Sequence, residues 1–160
     1  MTTASPRALY QKKINSGELQ PDEGQADAVM HLENLFEALQ PSQQSRRFEP
    51  IRRLFGFGKQ AKDAVKGLYL YGGVGRGKTM LMDMFAKAAG PLHSQRFHFH
   101  DFMVKAQNEV QAARQAEHVD PISSAADKLM AGGQIICFDE MEVRDIADAM
   151  IIRRLFLAMW

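Results

Sequence analysis

Eight consecutive residues near the middle of the chain have the types and spacing of a phosphate-binding loop. Gly72–Thr79 reads GGVGRGKT and matches G-x-x-x-x-G-K-[ST] in full. Glycines let a backbone wrap a phosphate with its N–H groups pointing inward, and the following helix presents its positive dipole end to the anion. Lys78 would supply a mobile positive charge for the β- and γ-phosphates, and the Thr79 hydroxyl would be a ligand for Mg²⁺. The pattern predicts a nucleoside triphosphate site in which Lys78 also contributes to catalysis.

The segments on either side of this loop support the same interpretation. Leu68–Tyr71 is short and rich in aromatic and aliphatic residues, which predicts a strand, and Gly77–Ala89 has apolar residues at helical spacing. Glycine-rich segments also make plain turns, but the full motif between a strand and a helix favours phosphate binding. The predicted nucleotide-binding residues are Gly72, Gly73, Val74, Gly75, Arg76, Gly77, Lys78, Thr79 and Met80.

A second candidate for chemistry is the acidic pair Asp139-Glu140, which follows an apolar run. Gln134–Phe138 predicts a parallel strand buried on both faces of its sheet, which would deliver Asp139 beside the phosphate loop. There Asp139 can hold Mg²⁺ through its water shell, and Glu140 can orient and deprotonate the attacking water. Acidic residues also cap helices after strands, so the pair alone is weak evidence for a site. It becomes strong evidence in a chain that also has the phosphate loop. We predict an ATP and Mg²⁺ site with Glu140 as the catalytic base.

Two other groups of residues are weaker candidates. His98 and His100 would lie on one face of a predicted strand, Arg96–His100, and could share a metal ion. With no cysteine or carboxylate at ligand spacing, histidines that meet a neighbouring helix are the favoured interpretation. Arg153 and Arg154 could reach a neighbour's phosphate, but arginines on a helix are more often solvated.

The first 66 residues predict a helical segment and a basic linker. Asp22 and Gln25 have capping-box spacing at the start of a helix whose apolar positions recur at helical intervals, and Pro41 would end it. Between Ser42 and Lys66 the charged residues are mostly basic. A run of this kind is usually a solvated face, and its two glycines favour a linker.

Residues 67–160 predict an α/β core. Asp101 and Asp120 are expected to cap two helices between the second and third strands, and Val143–Trp160 predicts a final helix. Its expected buried positions are Ile146, Met150, Ile151, Leu155 and Met159. Strands separated by helices predict parallel pairing and a three-layer sandwich of the P-loop NTPase type. Because three strands leave an open edge, we expect this core to be incomplete and to continue after the third strand in a longer protein.

Composition limits the function classes without choosing among them. The chain has 160 residues with 46% apolar and 24% charged residues, and its net charge of +1 gives no general attraction to nucleic acid or anionic lipid. Cys137 is the single cysteine, which excludes an internal disulfide. The N-terminus has no uninterrupted apolar stretch, and no segment is apolar enough to insert in a membrane. The expected location is the cytoplasm.

Four segments of the chain resemble the ZapE-type ATPases, which are also called AFG-like ATPases and are relatives of the AAA+ class. The likeness runs from roughly Tyr10 to Trp160. The phosphate loop is common to many ATPases, but Arg-Phe-His-Phe-His and Asp-Ile-Ala-Asp-Ala-Met are more specific. The segments are Gly67–Phe85, Arg96–Met103, Cys137–Glu140 and Asp145–Met150.

The resemblance implies an AAA+-like fold and Mg²⁺-dependent ATP hydrolysis. For bacterial members it implies a cytoplasmic ATPase of cell division whose partner is the division ring protein FtsZ, with assembly into homo-oligomers also possible. Mitochondrial relatives are linked to protein quality control. Gly24 and Met141-Glu142 depart from the family pattern, but neither touches the predicted phosphate or metal ligands. The sensor residue and arginines that complete hydrolysis would lie after Trp160, so we expect this chain alone to turn over slowly.

Three alternatives share these motifs. A helicase-loader-like ATPase would act on nucleic-acid machinery, and its mark would be salt-sensitive affinity for single-stranded DNA. A second alternative is a module that binds nucleotide without turnover. A nucleotide kinase is disfavoured, because a Glu directly after the strand-end Asp suits an attacking water. An Asp followed directly by Glu also favours ATP hydrolysis over GTP hydrolysis, because GTPases are expected to have a glycine a few residues after the Asp.

Overall fold

A computed structural model of the chain describes residues 4–40, 65–90, 94–143 and 145–159. The chain divides into two compact units, Met1–Ala88 and Ala89–Trp160. Pro41 and nearly all of the predicted basic linker lie outside the described residues. In the described part of the chain, no helix is long and apolar enough to cross a bilayer.

The first unit begins with a helix that the sequence analysis did not predict. Helix α1 spans Pro6–Asn15, and the hydroxyl of Ser5 accepts a hydrogen bond from the Ala8 N–H at 3.3 Å. Ser at the cap followed by Pro at the first helical position is a helix-start signal. Its apolar residues do not recur at helical spacing, so hydrophobic periodicity does not predict this helix.

Helices α2 and α3 form as predicted. Helix α2 spans Glu23–Leu39, and the Asp22 carboxylate caps it by accepting from the Gln25 N–H at 2.9 Å. Helix α3 spans Lys78–Ala88 and follows the phosphate loop directly. The two helices pack against each other and against α1. The buried residues that they contribute are Val29, Leu32, Phe36, Leu81, Met84, Phe85 and Ala88.

The predicted strand at Leu68–Tyr71 is wrong. These residues have no regular secondary structure, and the Tyr71 side chain is 86% exposed. A strand is defined by the neighbour whose N–H and C=O groups it bonds, and aromatic or aliphatic residues cannot replace that partner. Among the described residues of this unit, the neighbours that pack together are helices.

The second unit contains a parallel pair of strands. Strand β1 spans Ser94–His98 and strand β2 spans Ile135–Asp139. They pair in parallel from Ser94 opposite Ile135 to His98 opposite Asp139. The predicted parallel pairing is confirmed. The sheet has two strands in the described ranges, where three were predicted.

Helix α4, Phe99–Gln115, begins earlier than predicted, because β1 ends at His98. Asp101 therefore lies in the first turn of α4 rather than at its cap. His98 ends the strand and His100 lies in the helix, so the expectation that both share one strand face is wrong. Helix α5, Pro121–Met130, has the predicted cap, since Asp120 accepts from the N–H groups of Ile122 and Ser123 at 3.0 and 3.2 Å.

The core of this unit lies where α4, α5 and helix α6, Ile146–Met159, pack together. Phe97, Ile136 and Phe138 of the strands pack against it. Its buried members are Phe99, Phe102, Met103, Ala106, Val110, Ile122, Ala125, Ala126, Leu129, Ile152 and Leu155.

Burial in α6 and β2 differs from the prediction. Ile152 and Leu155 are the buried residues of α6, whereas Ile146 is 81% exposed and Met150 is also exposed. Apolar residues occur on more than one side of α6, and packing on α4 and α5 selects the side that holds Ile152 and Leu155. In β2 only Cys137 is buried, because each strand of a two-stranded sheet is an edge strand.

Candidate nucleotide-binding site

The phosphate loop has the backbone shape that its glycines predict. Gly75 and Gly77 have φ angles of +77° and +82°, in the left-handed region that residues with a side chain rarely adopt. Helix α3 begins at Lys78, immediately after the loop. The N–H groups at the start of a helix have no partner within it, so this end can receive an anion.

Lys78 folds back over the loop that precedes it. Its ammonium group donates to the carbonyl oxygens of Gly72 and Gly73, at 2.9 and 2.8 Å. An ammonium carries three N–H donors, so these bonds leave one for a phosphate oxygen. Thr79 is exposed in the first turn of α3, and Met80 is half-buried. The loop therefore combines a mobile cation, a hydroxyl and backbone donors, which is the donor set that a triphosphate with Mg²⁺ requires.

The start of α2 contacts the same loop, and no pattern in the sequence predicts this contact. The Arg76 guanidinium lies 3.1 Å from the Asp22 carboxylate, and the Gln25 side chain donates to the Arg76 carbonyl at 3.3 Å. The capping-box spacing of Asp22 and Gln25 indicated only a helix start. Gln25 and Arg76 are 51 positions apart, so no local pattern reveals their contact.

In the second unit, Asp139 is the last residue of β2 and is paired with an arginine. Its side chain is 16% exposed, and its carboxylate lies 2.8 Å from the guanidinium of Arg96 on β1. Arg96 is opposite Cys137 in the register, and Asp139 follows Cys137 by two residues. Arg96 and Asp139 are therefore diagonal neighbours on the same face of the sheet. Arg96 was not predicted as part of a site. The Asp139 carboxylate is therefore held in place by a positive charge on the neighbouring strand.

Glu140 has an unusual backbone for its residue type. Its φ angle is +52°, in the left-handed region, and its side chain is exposed. Such a conformation is uncommon for a residue with a Cβ and is found more often where function constrains the chain. The strand therefore turns sharply at the residue proposed as the base.

The phosphate loop belongs to the first unit and the acidic pair to the second. A site that contains both Lys78 and Asp139 stays a prediction. Within the described ranges, no three His, Cys, Asp or Glu side chains cluster as a protein-only metal site would require. A cavity of about 220 Å³ is lined by residues 130–134. It lies before the start of β2, at the opposite end from Asp139.

Comparison with known families identifies the chain. The family model of the AFG1-like ATPases matches residues 4–160. The chain belongs to the AFG1-like ATPase family. This membership confirms the resemblance drawn from the phosphate loop and the segments after it, and the helices and parallel strands of the second unit are consistent with it. No solved structure matches the chain significantly.

Two of three known relatives align over nearly the whole chain, and all three are much longer than it. It is 37% identical over 166 residues to the cell division protein ZapE of Escherichia coli (strain K12), an alignment that covers 100% of this chain and 44% of that protein. It is 34% identical to a Schizosaccharomyces pombe protein, with 97% of the chain and 40% of that protein aligned. It is 39% identical to the lactation elevated protein 1 homolog B of Danio rerio over 57% of the chain and 20% of that protein. The chain thus spans less than half the length of these relatives.

Proposed function

We propose that this chain binds ATP with Mg²⁺ and that the AFG1-like ATPase to which it corresponds hydrolyses the nucleotide. The observation that carries the proposal is the phosphate loop. Its glycines hold left-handed backbone angles, its lysine folds across the loop, and a helix starts at its end. Family membership supports the same conclusion.

In this proposal each of the site residues has a separate role. Lys78 pairs with the β- and γ-phosphates, while the loop N–H groups from Gly72 to Met80 surround them. Thr79 and Asp139 hold Mg²⁺, which when bound neutralises charge on the phosphate oxygens. Glu140 orients the attacking water and accepts its proton at a carboxylate oxygen. The exposed position of Glu140 after a turn suits that task, because the carboxylate must reach a water.

The ATPase is proposed to act on protein partners in cell division. The named E. coli relative is a cell division protein, and the alignment covers this whole chain. FtsZ as the partner, assembly with further copies and a cytoplasmic location stay predictions. Salt-sensitive capture of single-stranded DNA in place of a protein would favour the helicase-loader alternative.

Replacing Lys78 by alanine tests nucleotide binding. The change removes the cation that faces the phosphates, so we expect affinity for a fluorescent ATP analogue to fall at least about tenfold, which corresponds to roughly 1.4 kcal/mol. Lys87→Ala is the matched control, because Lys87 is exposed in the last turn of the same helix. Equal affinities for Lys78→Ala and the unmodified chain would contradict the assignment of the loop.

A further inference from the structure

The first turn of α2 contacts the phosphate loop through two side chains. Asp22 pairs with the side chain of Arg76 at 3.1 Å, and Gln25 hydrogen-bonds the backbone carbonyl of the same residue at 3.3 Å. A Cβ atom placed on Gly77 would lie 3.1 Å from the Gln25 amide nitrogen, which is tighter than most real contacts. One helix turn therefore fits closely against two successive residues of the loop.

Asp22 uses its two carboxylate oxygens for different purposes. Oδ1 accepts from the Gln25 N–H and caps α2, while Oδ2 faces the Arg76 guanidinium. Because the cap already fixes the carboxylate, pairing with Arg76 requires no further ordering of Asp22. The Arg76 side chain is 62% exposed, and exposed ion pairs add little to stability. The pair thus orients the loop more than it stabilises the fold.

Gln25 is placed at a cost to the fold. Its Nε2 must face the Arg76 carbonyl to donate, so Oε1 points the other way. There Oε1 is buried and has no hydrogen-bond partner among the described residues. A buried acceptor without a partner destabilises a protein, and an apolar side chain of the same length would avoid that penalty. The bond to the loop, rather than packing, explains a glutamine here.

We propose that Asp22 and Gln25 are positioning residues for the phosphate loop. They hold Arg76 and Gly77 in the conformation that directs the loop N–H groups toward the phosphates, so less ordering is left for nucleotide binding. The inference rests on the proposed ATP binding and adds a coupling to it. By linkage, a partner that moves α2 would change ATP affinity, and ATP would change the affinity for that partner by the same factor.

Gln25→Met separates this role from a structural one. Methionine has a similar length but neither the donor nor the unpaired oxygen. We expect an unchanged or higher thermal midpoint without nucleotide, together with an affinity for the fluorescent ATP analogue that is about three- to tenfold lower. Gln11→Met is the control, since Gln11 is exposed on α1 and bonds Asn15 of its own helix.

Asp22→Asn is the second variant. Asparagine caps a helix as well as aspartate does, so α2 is kept while the charge that faces Arg76 is lost. We expect lower ATP affinity with an unchanged midpoint, and Asp27→Asn, on the exposed side of α2, as the neutral control. Hydrogen exchange without nucleotide should be faster for the peptide over residues 72–77 in both variants, with protection of α2 unchanged.

The outcomes distinguish the two proposals. If the unmodified chain binds no ATP analogue, the proposed function fails. If it binds and both variants bind equally well, or loop exchange is unchanged, the positioning role is wrong. A parallel loss of midpoint and affinity in Gln25→Met would also overturn it, because that result is expected of a packing residue.

Discussion

Glu140 and Asp139 are adjacent in sequence, yet their side chains have different surroundings in the structure. Asp139 is mostly covered and fixed by Arg96, whereas Glu140 is exposed on a left-handed backbone. A metal ligand benefits from being held in place, and a base must reach a water. The exposure of Glu140 therefore fits its proposed role, whereas Mg²⁺ would have to share or displace the Arg96 contact of Asp139.

Glu140→Gln should separate binding from chemistry. The amide keeps the size of the carboxylate but cannot accept a proton from water, so single-turnover hydrolysis should fall roughly 10²–10⁴-fold while ATP affinity changes little. Asp139→Asn should lose Mg²⁺-dependent affinity as well as rate. The measurement uses protein in excess over labelled ATP, which detects slow turnover. Glu117→Gln is the matched control, because Glu117 also has a left-handed φ angle, of +55°, after α4. Normal hydrolysis by Glu140→Gln would place the base elsewhere.

At the scale of helices and strands, two of the three predicted aspartate caps are confirmed, and Asp101 is the exception. Asp22 and Asp120 cap the helices that their spacing predicts. Leu68–Tyr71 failed as a strand because pairing depends on a neighbour, which residue types do not specify. The prediction of which α6 residues are buried was wrong for a related reason, since tertiary packing decides which of several apolar sides of the helix is covered. The contact of Gln25 with Arg76 joins distant positions, so spacing could not show it.

The cap of α5 has a pH dependence that can be measured. The Ser123 hydroxyl and the N–H groups of Ser123 and Ile122 bond the Asp120 carboxylate and hold its pKa below the ordinary value of 3.8. A lowered pKa contributes stability above the ordinary value, and that stability is lost as pH falls through the folded pKa. Asp120→Asn keeps a cap without a titrating group.

We therefore expect the thermal midpoint of the unmodified chain to fall more steeply than that of Asp120→Asn as pH drops below about 4. Calorimetry at several pH values between 2.5 and 6 measures the difference. Asp127→Asn, on an exposed position of the same helix, should follow the unmodified chain. Identical slopes for Asp120→Asn and the unmodified chain would show that the cap contributes nothing pH-dependent.

At the scale of the whole molecule, the proposed binding of ATP with Mg²⁺ predicts a measurable stabilisation of the folded chain. If Thr79 and Asp139 are the metal ligands, that stabilisation must depend on Mg²⁺ and on both side chains. At a nucleotide concentration 100 times Kd, binding should stabilise the folded chain by about 2.7 kcal/mol. We expect added Mg²⁺ to increase the midpoint shift in the unmodified chain but not in Asp139→Asn. An equal Mg²⁺ effect in both would show that Asp139 does not hold the metal.

The backbone at Glu140 has a consequence for which residues this position can tolerate. A left-handed φ angle is easily adopted by glycine and asparagine, less easily by glutamate, and poorly by valine or isoleucine. Selection for folding alone would therefore drift toward small, turn-forming residues at position 140. If the carboxylate of Glu140 is the catalytic base, hydrolysis is what favours glutamate over a turn-forming residue at this position. Lineages that abandon hydrolysis but keep nucleotide binding should lose this residue early.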